Sequence, residues 1–174
     1  MVEWRPLIGT FPPITEAEWN RVFNLYRTTP EYRFINAGMD LAAFKTIFWW
    51  EYIHRFWGRM IGLLFVLPFA FFLIRGWLTN RLAWRLAGLL VLGGLQGVVG
   101  WWMVKSGLAD RTDVSQYRLA THLVLALVIL ALLFHLGLSL LIPPNRRVRV
   151  RRSLAGHAWL ASAAILVTVV SGAF

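Results

Sequence analysis

Histidine and carboxylate side chains carry the chemistry open to this chain. Its 174 residues hold four histidines and no cysteine, which removes disulfides, iron–sulfur clusters and thiolate metal sites. His54 stands among Glu51, Arg55, Gly58, Arg59 and Gly62. Glu51, His54, Gly58 and Gly62 follow one another at three- and four-residue steps, so a helix would place them near one face. Imidazole can ligate a haem iron, and the glycines would leave room beside it for a flat macrocycle. Arg55 and Arg59, one turn apart, could pair with carboxylates such as haem propionates. They could equally snorkel to a membrane interface. Glu51 could pair with Arg55 on its own helix, a role compatible with a catalytic one. A second histidine, His122, lies in a later apolar run. Between them, Gln96 sits among Gly93, Gly94, Gly97 and Gly100. A polar side chain in so apolar a stretch needs a partner, either a ligand or a neighbouring helix. The Gly93–Gly97 spacing reads as helix close packing.

The elements that position these residues are membrane helices. The chain is 58% hydrophobic and only 15% charged, and the charges are clustered. Apolar runs of about 20 residues separate them, enough to cross a hydrocarbon core of roughly 30 Å. Lipid offers no partner for open backbone, so the fold class is all-α, a polytopic transmembrane helix bundle. Residues 1–40 form an outward-facing segment. Within it Thr15 and Glu18 make a capping box, Trp19, Val22, Phe23 and Tyr26 make an apolar stripe, and Pro30 is expected to end the helix. This amphipathic helix would lie on the membrane surface or on the bundle. Residues 41–174 hold about four spans. Asp40 caps a helix from about Leu41 to Trp77, with Pro68 a possible kink. Further spans run from about Leu82 to Val104, from about Arg118 to Ile142 before Pro143 and Pro144, and from near Leu154 onward. The last shows no closing charge or helix stop up to Phe174, so the chain is expected to end within a span. An upstream helix is expected to precede residue 1, because no signal sequence carries the outward segment across.

The formal net charge of +10 comes largely from Arg146, Arg147, Arg149, Arg151 and Arg152 between two apolar runs. That pattern marks an inner-side loop rather than a nucleic-acid partner. Arg75, Arg81 and Arg85 mark the first connection in the same way, whereas Asp110 and Asp113 offset Lys105, Arg111 and Arg118 in the second. Trp49, Trp50, Trp57, Trp101 and Trp102 then form an outer aromatic belt, and Trp77, Trp84 and Trp159 an inner one. His54 lies about 23 residues before Trp77 and His122 about 21 before Pro143, roughly 35 and 32 Å of helical rise. Both therefore sit near the outer face, on helices running in the same direction. Two imidazoles at one depth could be axial ligands to one haem iron. Two unrelated polar residues, one packed and one wet, would match the depths equally well. His135, about 20 Å deeper by helical rise, and His157 have no depth-matched partner and read as structural or interfacial. No phosphate-binding loop, dinucleotide fingerprint, metalloprotease helix or nucleophile elbow is present.

Beyond these readings, Glu51-Tyr52-Ile53-His54-Arg55 with Gly58-Arg59 resembles the EYxHR…GR signature of the haem A synthase family. Gly94-Leu95-Gln96-Gly97 with Gly100 to Leu108 is similar to the family's third span and following loop. Asp113 to Leu123, including His122, is similar to the start of its fourth span, and Met1 to Pro13 and Ser171 to Phe174 also resemble family segments. The resemblance covers nearly the whole chain. It implies an eight-span, pseudo-twofold protein of which this chain is the N-terminal half. It implies an oxidoreductase that turns a methyl group of haem O into the formyl group of haem A for terminal cytochrome oxidase. His54 and His122 would ligate iron in a substrate-side haem site; Arg55, Arg59 and Gln96 are expected to bind the haem on their own chemistry. Glu51 matches the family's essential acidic position, where it would accept a proton or stabilise developing positive charge near the reacting methyl. A haem b cofactor would belong to the other half, so the isolated chain is expected to be inactive.

Some family members carry a cysteine pair in the outer loop. This chain has none, so a thiol mechanism is out. The expected partners are membrane lipid and haem O. By resemblance, haem O synthase and oxidase assembly factors join them, and homo-oligomerisation is compatible with the sequence. The expected location is the bacterial plasma membrane or the mitochondrial inner membrane. The competing readings are a cytochrome b-like electron carrier, which would need a second depth-matched histidine pair, and a haem-free membrane scaffold.

Overall fold

Helix caps and glycines bound six helices among the described residues. The structure, a computed structural model, describes residues 11–107, 114–142 and 152–174. Pro143, Pro144, four of the five clustered arginines (146, 147, 149 and 151), and Asp110, Arg111 and Asp113 lie outside the described residues. The helices are α1 (Glu16–Tyr26), α2 (Pro30–Phe34), α3 (Leu41–Ile74), α4 (Asn80–Gly107), α5 (Gln116–Leu141) and α6 (Arg152–Ser171). No strand occurs among the described residues. Four of the helices, α3 to α6, are long and apolar enough to cross a membrane. Two compact units divide the chain: residues 1–79 with 104–114, and residues 80–103 with 115–174.

In the first unit, local chemistry sets each boundary. The Thr15 hydroxyl accepts from the Glu18 N–H at 3.2 Å, and the Glu18 carboxylate accepts from the N–H groups of Ile14 (2.9 Å) and Thr15 (3.2 Å). Together they satisfy N–H groups that the first helical turn leaves open. These bonds hold the Glu18 carboxyl below its usual range. Pro30 was expected to terminate α1. Instead α1 stops at Tyr26, and Pro30 opens α2 behind a Thr29 cap, where a proline's missing N–H costs nothing. The Asp40 side chain accepts from the Ala43 N–H at 2.8 Å and starts α3 as expected.

The end of α3 comes three residues before the expected Trp77. Gly76 adopts φ +67°, and its N–H donates to the Leu73 carbonyl while the Trp77 N–H donates to that of Phe72. This pair of bonds, with the Trp77 ring 5.7 Å from the Phe72 ring, is a Schellman stop that a glycine makes without strain.

The apolar stripe of α1 packs on α3. Trp19, Tyr26, Phe44 and Phe48 are buried together, flanked by Val22, Phe23, Tyr32 and Tyr52. Trp19 meets Phe48 edge-on at 4.8 Å, and Tyr26 meets Phe44 at 5.0 Å. Such pairs add about 0.5–1.5 kcal/mol each beyond burial alone. Asn36 donates to the Tyr26 hydroxyl at 2.7 Å, and burial pushes that phenol's pKa up. The helix therefore packs on α3.

In the second unit, α5 packs along α6, and the Tyr117 ring meets the Phe174 ring edge-on at 5.2 Å. Helix α6 closes at Ser171, and the last residues turn back with Ala173 buried. Hydroxyls inside the spans are satisfied on their own helices: Ser139 donates to the Leu136 carbonyl, Ser162 to Ala158 and Thr168 to Ala164. That local bonding removes the cost of a bare hydroxyl in lipid. Large apolar side chains, Leu64, Ile74, Val91, Leu130 and Leu160 among them, point away from both units. With four such helices exposing apolar side chains, the chain is a multi-pass membrane protein.

Candidate haem site

The site residues fall into two groups, one in each unit. In the first unit α3 carries Glu51, His54, Arg55 and Arg59 within about two turns. Their spacing depends on an unbroken helix, and α3 is continuous from the Asp40 cap through this region. Arg55 Nη2 lies 3.4 Å from Glu51 Oε2, so the expected pairing along the helix forms. Both side chains are half-buried, at 33% for Glu51 and 19% for Arg55. Arg59 is half-buried one turn further on, and His54 is exposed. A Cβ at Gly58 or Gly62 would meet no atom within 4 Å. The space beside His54 is thus open, as a flat ligand would require.

In the second unit α4 and α5 meet at His122. The Gln96 carboxamide nitrogen donates to the His122 main-chain carbonyl at 3.1 Å and lies 3.3 Å from His122 Nε2. One turn along α4, a Cβ at Gly100 would come within 3.0 Å of His122 Cε1. Gly100 is therefore a notch cut for this ring. Gln96 Oε1 is buried and has no hydrogen-bond partner among the described residues. The Arg118 guanidinium lies 4.7 Å over the Trp102 ring, a cation–π contact near the end of α4 and the start of α5.

The structure therefore joins Gln96 to His122 and Arg55 to Glu51. His54 and His122 belong to different units, and their pairing stays an expectation. Close packing was expected at Gly93 and Gly97. Among the described residues a Cβ at Gly93, Gly94 or Gly97 would touch nothing within 4 Å, and the tight glycine is Gly100. Sequence reasoning passed over that role, although Gly100 lies four residues from Gln96 and so on the same helix face. Of the other histidines, His157 Nδ1 lies 2.6 Å from the Ser153 carbonyl on its own helix, and His135 is exposed on α5.

Among the described residues no three histidine, aspartate or glutamate side chains converge. A haem iron asks less of the chain than a bare ion, because its macrocycle supplies the equatorial nitrogens and protein supplies axial ligands only. The notch around His122, the orphaned Gln96 oxygen beside it and the open face next to His54 all suit such a group.

Comparison with known proteins gives the family. A family model described as cytochrome oxidase assembly protein matches residues 1–174. A protein named heme A synthase from Rhodospirillum centenum is 50% identical over 174 residues, covering 100% of this chain and 46% of the relative. Another of that name from Parvibaculum lavamentivorans is 49% identical over 174 residues, 100% of this chain and 50% of the relative. A third, from Agrobacterium fabrum, is 58% identical over 131 residues, 75% of this chain and 36% of the relative. The chain spans about half the length of the curated relatives it matches over its whole length. No solved structure matches. With the family model matched from the first residue to the last, and relatives named heme A synthase aligned across the same span, the chain belongs to the haem A synthase family of cytochrome oxidase assembly proteins.

Proposed function

We propose that this chain supplies the substrate-side haem site of a haem A synthase, an oxidoreductase that converts a methyl group of haem O to the formyl group of haem A. The observation that carries the reading is the seat of His122, a ring held by Gln96 in a notch that only a glycine at position 100 leaves open. A membrane helix has little reason to orient a half-buried imidazole so closely unless it is used.

On this reading His54 and His122 would hold the haem O iron. Arg55 and Arg59 face its carboxylates, and a guanidinium can hold a carboxylate by two parallel bonds. The open face at Gly58 and Gly62 receives the edge of the macrocycle. Oxidation of the methyl carbon releases protons, and Glu51, three residues before His54, is the carboxylate placed to accept one. Its neighbour Arg55 keeps a positive charge beside it at 3.4 Å. A haem b, expected in the other half of the protein, would supply electron-transfer chemistry.

The test is catalytic. Membranes from cells that make haem O but lack their own haem A synthase are supplied with the intact gene product, and extracted haems are separated by chromatography. Appearance of haem A is the predicted outcome. Haem O left unchanged beside well-expressed protein would contradict the reading.

A further inference from the structure

Gln96 contacts His122 in an unusual way. A carboxamide nitrogen carries two hydrogens, and here it lies within bonding distance of two acceptors on the same residue. One is the main-chain carbonyl, at 3.1 Å, and the other is ring Nε2, at 3.3 Å. Anchoring both ends of one residue fixes its side-chain rotation more tightly than either bond alone. The Gly100 notch closes the third side, against Cε1. A donor at Nε2 also selects the neutral imidazole whose proton sits on Nδ1 and whose lone pair sits on Nε2.

We propose that Gln96 is the positioning residue of His122, holding the ring in the rotamer and tautomer that present the Nε2 lone pair, and giving up that lone pair to iron while keeping its bond to the carbonyl. The proposal rests on His122 being an iron ligand. It assigns Gln96 a role through His122 rather than through contact with the haem. The carboxamide occupies the Nε2 face of the ring until haem arrives. Groups that orient a metal-ligating histidine commonly change metal affinity by about 10- to 100-fold when removed. The arrangement has one further consequence. Because the carbonyl bond needs no ring nitrogen, it can persist when iron takes Nε2, and the clamp then works in both states.

The experiment compares Gln96→Leu, Gly100→Ala and His122→Ala with the parent in the intact, haem-loaded gene product. Electron paramagnetic resonance reads the low-spin signal of iron with two histidine ligands, and extraction reads haem content. His122→Ala defines the part of the low-spin signal that belongs to this site. Gln96→Leu, similar in volume, is expected to move much of that part to high spin and to weaken haem retention roughly 10- to 100-fold. Gly100→Ala, which pushes the ring without touching the carboxamide, is expected to change the signal in the same direction. If Gln96→Leu leaves spin state and retention as in the parent, or tightens retention, while His122→Ala abolishes the signal, the positioning role is overturned and the ligand assignment stands. If His122→Ala itself leaves the low-spin signal untouched, the ligand assignment fails and this proposal with it. Monodisperse elution of each variant separates these outcomes from misfolding.

Discussion

At the residue scale, two pairings carry the site: Glu51 with Arg55 on α3, and Gln96 with His122 between α4 and α5. The first was legible in the sequence, because a four-residue step on a helix puts side chains within reach. The second was legible only as a need. Gln96 required a partner in an apolar span, but which helix faced it depends on packing that no local pattern encodes. Gly100 was hidden for the same reason, since its role is defined by a ring from another helix. Glu51 gives the sharpest residue-scale prediction. Glu51→Gln keeps the size and polarity of the side chain but not the carboxylate's capacity to take a proton. Haem A formation by the intact gene product is expected to fall by about 100-fold or more, while bound haem O stays at the parent level. Activity retained with haem bound would remove Glu51 from the chemistry.

At the element scale, capping and aromatic packing organise the outer segment. The capping box of α1, its apolar stripe and the Asp40 cap of α3 could all be read directly, because each is a short-range pattern with a known partner. The roles of Pro30 and Gly76 were missed, since a proline can end one helix or begin the next, and a glycine stops a helix only where the chain needs a left-handed turn. The α1 cap should respond to acid. The bonds from Ile14 and Thr15 depress the Glu18 pKa below its ordinary 4.5. A depressed carboxyl stabilises the folded form above its unfolded pKa, and that contribution is lost as pH falls through the lower, folded value. Amide exchange at Ile14 and Thr15, corrected for the intrinsic effect of pH, is therefore expected to lose protection on acidification below about 4.5, a change that Glu18→Gln should flatten. Equal acid sensitivity in that variant would show that another group controls the cap.

At the scale of the whole molecule, hydropathy dominates. Four spans emerged from apolar run length alone, to within a few residues, because a bilayer imposes both length and helicity. By the positive-inside rule, the basic first and third connections are expected on the inner side. The family model matches residues 1–174 throughout.

The central claim is that His54 and His122 hold one haem. The most direct measurement is haem extraction from the intact gene product, purified in detergent from cells that supply haem O, beside His54→Ala and His122→Ala. The account predicts haem O in the parent and its loss from both variants, with the protein still monodisperse. Haem O retained in full by either variant would contradict it.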